Sequence, residues 1–235
     1  MRHLTSPQIR MVGACLAMMA MFGVLHLQAI TTQTQQQAMS PDEVLEDLIA
    51  GNERFVNGVT TRRDFLAEAR QSATEGQFPK AIILSCVDSR VPVEIVFDQG
   101  IGDLFVGRVA GNVEDIQMLG SMEFATALAG SKLVMVLGHE SCGAIKGAID
   151  QAKLGNLTEL LRDIEPAVQD AGDVEGKHTS KNPALVEAAT LANVRRTVED
   201  LRSRSDVLAD LEAKGKIRIV GAYYTLHDGR VRLVE

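Results

Sequence analysis

Two short segments carry side chains that could do chemistry together. One is Cys86-Val87-Asp88-Ser89-Arg90, the other Gly138-His139-Glu140-Ser141-Cys142-Gly143. Cys86, His139 and Cys142 form a two-sulfur, one-nitrogen set suited to tetrahedral zinc. Three protein ligands leave the fourth position open, which marks a catalytic rather than a structural zinc. No other Cys or His has a ligand-like context: Cys15 lies in an apolar amino-terminal run, His178 in a polar stretch and His227 in a turn. Two other readings compete. Cys86 and Cys142 could pair as a disulfide in an oxidising compartment, or each could be a small buried apolar residue. Their separation of 56 residues decides nothing. Asp88 and Arg90 weigh against plain burial, because charged residues rarely end a buried strand unless paired or solvated.

The elements that must position these residues are legible around them. Each segment follows an apolar run, residues 81–85 (AIILS) and 133–137 (LVMVL). Residues 104–109 and 217–222 are further buried strands by the same criterion, and helical patterns separate the runs. Continuous apolar strands alternating with helices predict an α/β fold with a mainly parallel sheet covered on both faces. The turn His227-Asp228-Gly229-Arg230 predicts a short edge strand at 231–234. Ser40-Pro41-Asp42-Glu43 predicts a helix start, with Ser as cap, Pro at the first position and Glu43 closing a capping box. Helices are further expected over 61–75, 113–129, 142–152, 157–171 and 184–213. In open parallel sheets ligands bind beyond the carboxyl ends of strands, so two strand ends bearing metal-capable side chains could converge.

Composition narrows the function classes. With 24 basic and 31 acidic residues the chain has a net charge of -7, the wrong sign for a nucleic-acid footprint. Aromatics are 4% and Trp is absent, so base-stacking platforms are excluded as well. Gly100-Ile101-Gly102 precedes a strand instead of following one, which removes the dinucleotide-binding reading. Residues 1–38 contain no Asp or Glu, and their basic residues are Arg2 and Arg10. A short positive start, an apolar run over 11–25 and an Ala-ending polar stretch read as a secretory signal peptide over 1–29. An uncleaved anchor is the alternative, since the run stretches to about 20 residues. The Gln/Thr-rich residues 30–39 read as a flexible linker, and 40–235 as one folded domain. The expected location is outside the cytoplasm, in a periplasm, with no stable membrane insertion once the signal is removed.

The run CVDSRVP…GDLFVGRVAGN…GHESCGAIKGA, dense over residues 81–149 and extending to IVGAYYTLHDGRV, resembles the β-class carbonic anhydrases. The resemblance implies reversible hydration of CO2 to bicarbonate and a proton by zinc-bound hydroxide, with one zinc per chain held by Cys86, His139 and Cys142. It implies that Asp88 and Arg90 form a catalytic dyad orienting the nucleophile. It also assigns Gln77, Phe105, Ala110 and Gly143 to substrate binding, Phe105 and Ala110 as walls of an apolar CO2 pocket. The implied assembly is a homodimer or higher homo-oligomer with active sites at the subunit interface, and the implied sheet is parallel with an antiparallel edge strand. Val87 departs from the Ser or Ala of many members, and the lack of Trp from members whose inhibitory bicarbonate site is built around one.

Two thiolates cancel the formal charge of a zinc ion, so its water should be acidified less than at a three-His site. Asp88, fixed by an Arg90 fork, could compensate by accepting the nucleophile's proton in a hydrogen bond. Were the Arg90 pair to open, the same carboxylate could ligate zinc instead, a state expected to gain at low pH. A CO2 analogue such as carbon disulfide is the alternative substrate. A metal-free binding protein with a Cys86–Cys142 disulfide is the alternative without catalysis.

Overall fold

The computed structural model describes residues 30–235. The signal-peptide expectation for 1–29 lies outside those residues. Among the described residues no helix is long and apolar enough to cross a membrane.

Five strands form one sheet: β1 (Ala81–Ser85), β2 (Leu104–Arg108), β3 (Leu133–His139), β4 (Arg218–Tyr224) and β5 (Val231–Val234), in the order β2-β1-β3-β4-β5. The first four run parallel and β5 pairs antiparallel with β4, as expected from the sequence. β1 and β3 are buried at every position. Alternate residues point to opposite faces of a strand, so such strands must be apolar on both. Ala81, Ile83, Leu133, Met135 and Leu137 meet Val44, Leu45 and Leu48 of α2 (Pro41–Val56) on one face. Ile82, Leu84, Val134 and Val136 meet Leu119 and Met122 of α5 (Ile116–Glu123), and Val194, Val198 and Leu201 of α8 (Pro183–Arg204), on the other.

Ser40 caps α2 through the expected capping box with Glu43. The predicted helix over 61–75 is α3 (Phe65–Glu75), which starts later because Asp64 caps it. The helical stretch expected over 184–213 is two helices. Ser205, extended at φ -126° and ψ 101°, breaks it, and its hydroxyl caps α9 (Asp206–Ala213) while donating to Glu123. Further helices are α4 (Val93–Val96), α6 (Gly143–Ile149) and α7 (Gly155–Asp170), and a π-helical turn over Phe124–Leu128 continues α5.

The linker expectation for 30–39 needs correction. Residues Gln33–Ala38 form helix α1, capped by a reciprocal Thr32–Gln35 box. Gln36 is buried, and its amide donates to the carbonyls of Pro79 (2.8 Å) and Ala129 (2.9 Å). Thr31 donates to Asp103, and Ile30 is buried. A polar composition was compatible with flexibility, but these amides and hydroxyls satisfy backbone and carboxylate groups of the folded body. The ordered domain therefore includes residues 30–39.

Candidate metal centre and active site

After β1 the chain crosses to β2 on one side and later returns to β3 on the other. The carboxyl ends of β1 and β3 therefore flank the switch in strand order, where an open α/β sheet leaves a crevice. Cys86 is the first residue past β1, His139 the last of β3, and Cys142 the residue before α6. Ser141, at φ 56°, takes the left-handed backbone that folds Cys142 back beside His139.

Cys86, His139 and Cys142 are all buried, and their ligand atoms lie within 4.8 Å of one another. The two sulfurs are 3.9 Å apart and unbonded. Two thiolates about 2.3 Å from one tetrahedral ion stand about 3.8 Å apart, whereas a disulfide needs about 2.05 Å. His139 Nδ1 lies 2.9 Å from the Glu140 carbonyl, so Nδ1 carries the proton and donates. Its Nε2 is then a bare lone pair, buried with no hydrogen-bond partner. An orphaned acceptor beside two sulfurs fits a cation. The thiols state the same need. Their mutual contact pushes Cys86 down and Cys142 up, because a thiolate at one sulfur is stabilised only while the other keeps its proton and donates it in a hydrogen bond. A divalent cation removes that conflict by accepting both thiolates.

Beside the cluster, Asp88 is held from three directions. The Arg90 backbone N–H donates to Oδ1 at 2.9 Å, Arg90 Nε to Oδ1 at 2.9 Å and Nη2 to Oδ2 at 2.7 Å. The guanidinium holds the Asp88 carboxyl well below the usual range, outweighing the opposing effect of partial burial. Asp88 Oδ2 is 3.9 Å from His139 Nε2, so the fixed carboxylate borders the open side of the cluster. Two contacts behind the loop were not apparent from the motif. Arg108, at the end of β2, donates to the carbonyls of Cys86 (2.8 Å) and Asp88 (2.5 Å). The Gly111 N–H donates to Cys86 Sγ at 3.3 Å. Strand pairing of Ser85 with Arg108 brings both within reach, and that pairing is invisible in a linear motif.

A family model described as carbonic anhydrase matches residues 81–231. Carbonic anhydrase 2 of Mycobacterium tuberculosis is 38% identical over 199 residues, 83% of this chain and 93% of that protein. The carbonic anhydrase of Mycolicibacterium smegmatis is 39% identical over 188 residues, 78% and 88% of the two chains. In fold the chain is similar to the β-carbonic anhydrase CafA of Aspergillus fumigatus, with a TM-score of 0.65 and 21% identity over 82% of this chain and 91% of that one. The chain belongs to the β-carbonic anhydrase family. Membership carries carbonic anhydrase activity, the zinc-dependent hydration of CO2, and the Cys-His-Cys cluster fits the zinc site. Two structurally similar β-carbonic anhydrases of Sordaria macrospora are tetrameric, at a TM-score of 0.64 and 20% identity over 81% of this chain and 93% of that one.

Within this β-carbonic anhydrase the four remaining expected site residues divide into two pairs. Gly143 opens α6 beside Cys142, and a Cβ there would meet nothing within 4 Å, so its backbone faces open space. Ala110 packs against the cluster that contains Cys86 and Cys142. Phe105 and Gln77 are not brought to the cluster of their own chain. Phe105 is level with Ile82, not Cys86, and packs edge-on against Phe124 with ring centroids 6.0 Å apart. Gln77 precedes β1, near Gly102 at the amino end of the sheet. The five residues of β1, at about 3.3 Å each, separate it from Cys86 by roughly 16 Å.

Proposed function

We propose that the chain hydrates CO2 at the Cys86-His139-Cys142 centre, with Asp88 and Arg90 as the orienting dyad. The observation that carries this is the buried, unpartnered His139 Nε2 facing two sulfurs and bordered by an Arg90-locked carboxylate. Zinc bound there supplies the Lewis acidity that makes water nucleophilic near neutral pH. Asp88, acceptor-only while ionised, takes a hydrogen bond from the attacking water and turns its lone pair toward CO2. Arg90 keeps that carboxylate ionised and in one rotamer. His139 is fixed in the Nε2-facing tautomer by its bond to Glu140. Arg108 holds the Cys86–Asp88 backbone so that ligand and carboxylate keep their spacing. The paired Asp88 supports the water-accessible state over the carboxylate-ligated one.

Gln77 and Phe105 fit the site of a second copy rather than their own. Phe124 (52% exposed) packs on Phe105, and Leu128 (79%) and Ile116 (70%), from the same 116–128 helical stretch, are exposed apolar side chains of the kind a subunit interface covers. We infer a homodimer or higher homo-oligomer in which each copy lends these residues to its neighbour. We also infer export, from residues 1–29, to be checked by fractionation and amino-terminal sequencing of the mature protein.

Stopped-flow CO2 hydration with metal analysis of the same sample tests the function. One zinc per chain with hydration is expected. Zinc with turnover of carbon disulfide alone would favour the analogue, and no zinc with a disulfide would overturn both.

A further inference from the structure

The Gly111 N–H reaches the Cys86 sulfur only because the 110–112 turn is held in an unusual shape. Gly111 has φ 75° and Asn112 φ 46°, both left-handed. The turn is anchored from a helix far away in sequence. Asn193 Nδ2 donates to the Gly111 carbonyl at 2.8 Å, and Thr197 Oγ1, one turn on, reaches the Asn112 carbonyl at 3.5 Å. Both side chains sit on one face of α8 and are 2% exposed. From the far side the turn is packed tightly: a Cβ at Gly111 would lie 2.5 Å from Ile164 Cδ1. The amide of an asparagine is costly to bury, and here it bonds the carbonyl of the very residue whose N–H meets the ligand sulfur.

We propose that Asn193, assisted by Thr197, is a positioning residue for the metal centre, acting through the Gly111 N–H on the Cys86 sulfur. An N–H donated to a ligating thiolate draws charge off the sulfur, and groups behind metal ligands tune the metal in this way. With two thiolates in the set, that withdrawal leaves more of the cation's charge for water. Losing the Asn193 bond frees the Gly111 carbonyl to rotate, misdirects the N–H and returns charge to sulfur. The inference rests on the metal reading above.

The test uses the full chain with zinc exchanged for cobalt(II), read by its sulfur-to-cobalt charge-transfer absorption, alongside steady-state kinetics of the zinc enzyme. Asn193→Leu keeps the side-chain shape and removes the donor; Asn193→Ala is the second variant should Leu fail to fold. The expected result is one cobalt per chain, a charge-transfer band moved to longer wavelength, and kcat lowered about 10-fold with KM within twofold. Thr197→Val should move the band the same way by less, given its longer contact. A folded Asn193 variant with the wild-type band and wild-type kcat would overturn the inference while leaving the metal centre intact. Absence of any thiolate–cobalt band in the unmodified protein would overturn the metal reading and the inference with it.

Discussion

Replacing Arg90 separates the dyad's contribution from that of the metal ligands. Arg90→Met removes the two guanidinium bonds to Asp88, at 2.9 and 2.7 Å, but keeps the backbone N–H bond at 2.9 Å. Hydrogen bonds to charged groups contribute about 1.5–3 kcal/mol each. The Arg90 side chain is 54% exposed, so solvent screening favours the bottom of that range and trims it further. About 2 kcal/mol for the pair remains, which corresponds to about 30-fold in kcat if it is spent on aiming the carboxylate. Arg90→Lys restores one point-charge contact without the fork, so a loss of about 5-fold is expected. The pH profile supplies a second readout. Arg90 holds the Asp88 carboxyl down, so without it the carboxyl protonates at higher pH and the acid limb of the rate profile moves up. Stopped-flow hydration between pH 4 and 9, with zinc measured on each sample, checks both. Wild-type kcat in both variants would refute the dyad. Loss of zinc from both would show that Arg90 supports the metal instead of the carboxylate.

Other outcomes follow from neighbouring contacts. Burial pushes the Asp98 carboxyl up, but bonds from Arg54 (2.6 Å) and Thr61 (2.7 and 3.0 Å) win and hold it below the ordinary range. A depressed folded value stabilises above the unfolded carboxyl's pKa near 3.9 and is lost as pH falls through the folded one. Asp98→Asn should therefore cost about 2 kcal/mol at pH 7 and progressively less in acid, measured as urea midpoints at both ends. Gly111→Ala meets Ile164 and an unfavourable φ of 75°, and should cost about 2–4 kcal/mol in thermal or urea unfolding. Mixing Gln77→Ala chains with Asp88→Asn chains should regain activity that neither has alone, because one site of each mixed dimer is intact. Activity no higher than the average of the parents would place Gln77 outside the partner's site.

Much of this was legible in residue order. The runs at 81–85 and 133–137 declare strands buried on both faces because every residue in them but Ser85 is apolar, and they fix where Cys86 and His139 must emerge. The Ser40 box marked α2 because its capping chemistry is local. What depended on pairing across the sheet was hidden. Arg108 reads as one residue near the end of an ordinary strand until β2 is laid beside β1. Asn193 reads as a polar residue on a mixed-charge helix until α8 is packed against the 110–112 turn. Residues 33–38 mislead because Gln and Thr are equally at home in a linker, and only the carbonyls that Gln36 reaches reveal an ordered helix. Phe105 and Gln77 carry the right types, but strand register separates them from the cluster in their own chain.

X-ray absorption at the zinc edge of the purified protein tests the central claim most directly. Two sulfurs at about 2.3 Å, one imidazole nitrogen at about 2.0 Å and one further light atom are expected. A shell without sulfur, or a chain without zinc whose Cys86 and Cys142 are joined, would contradict it.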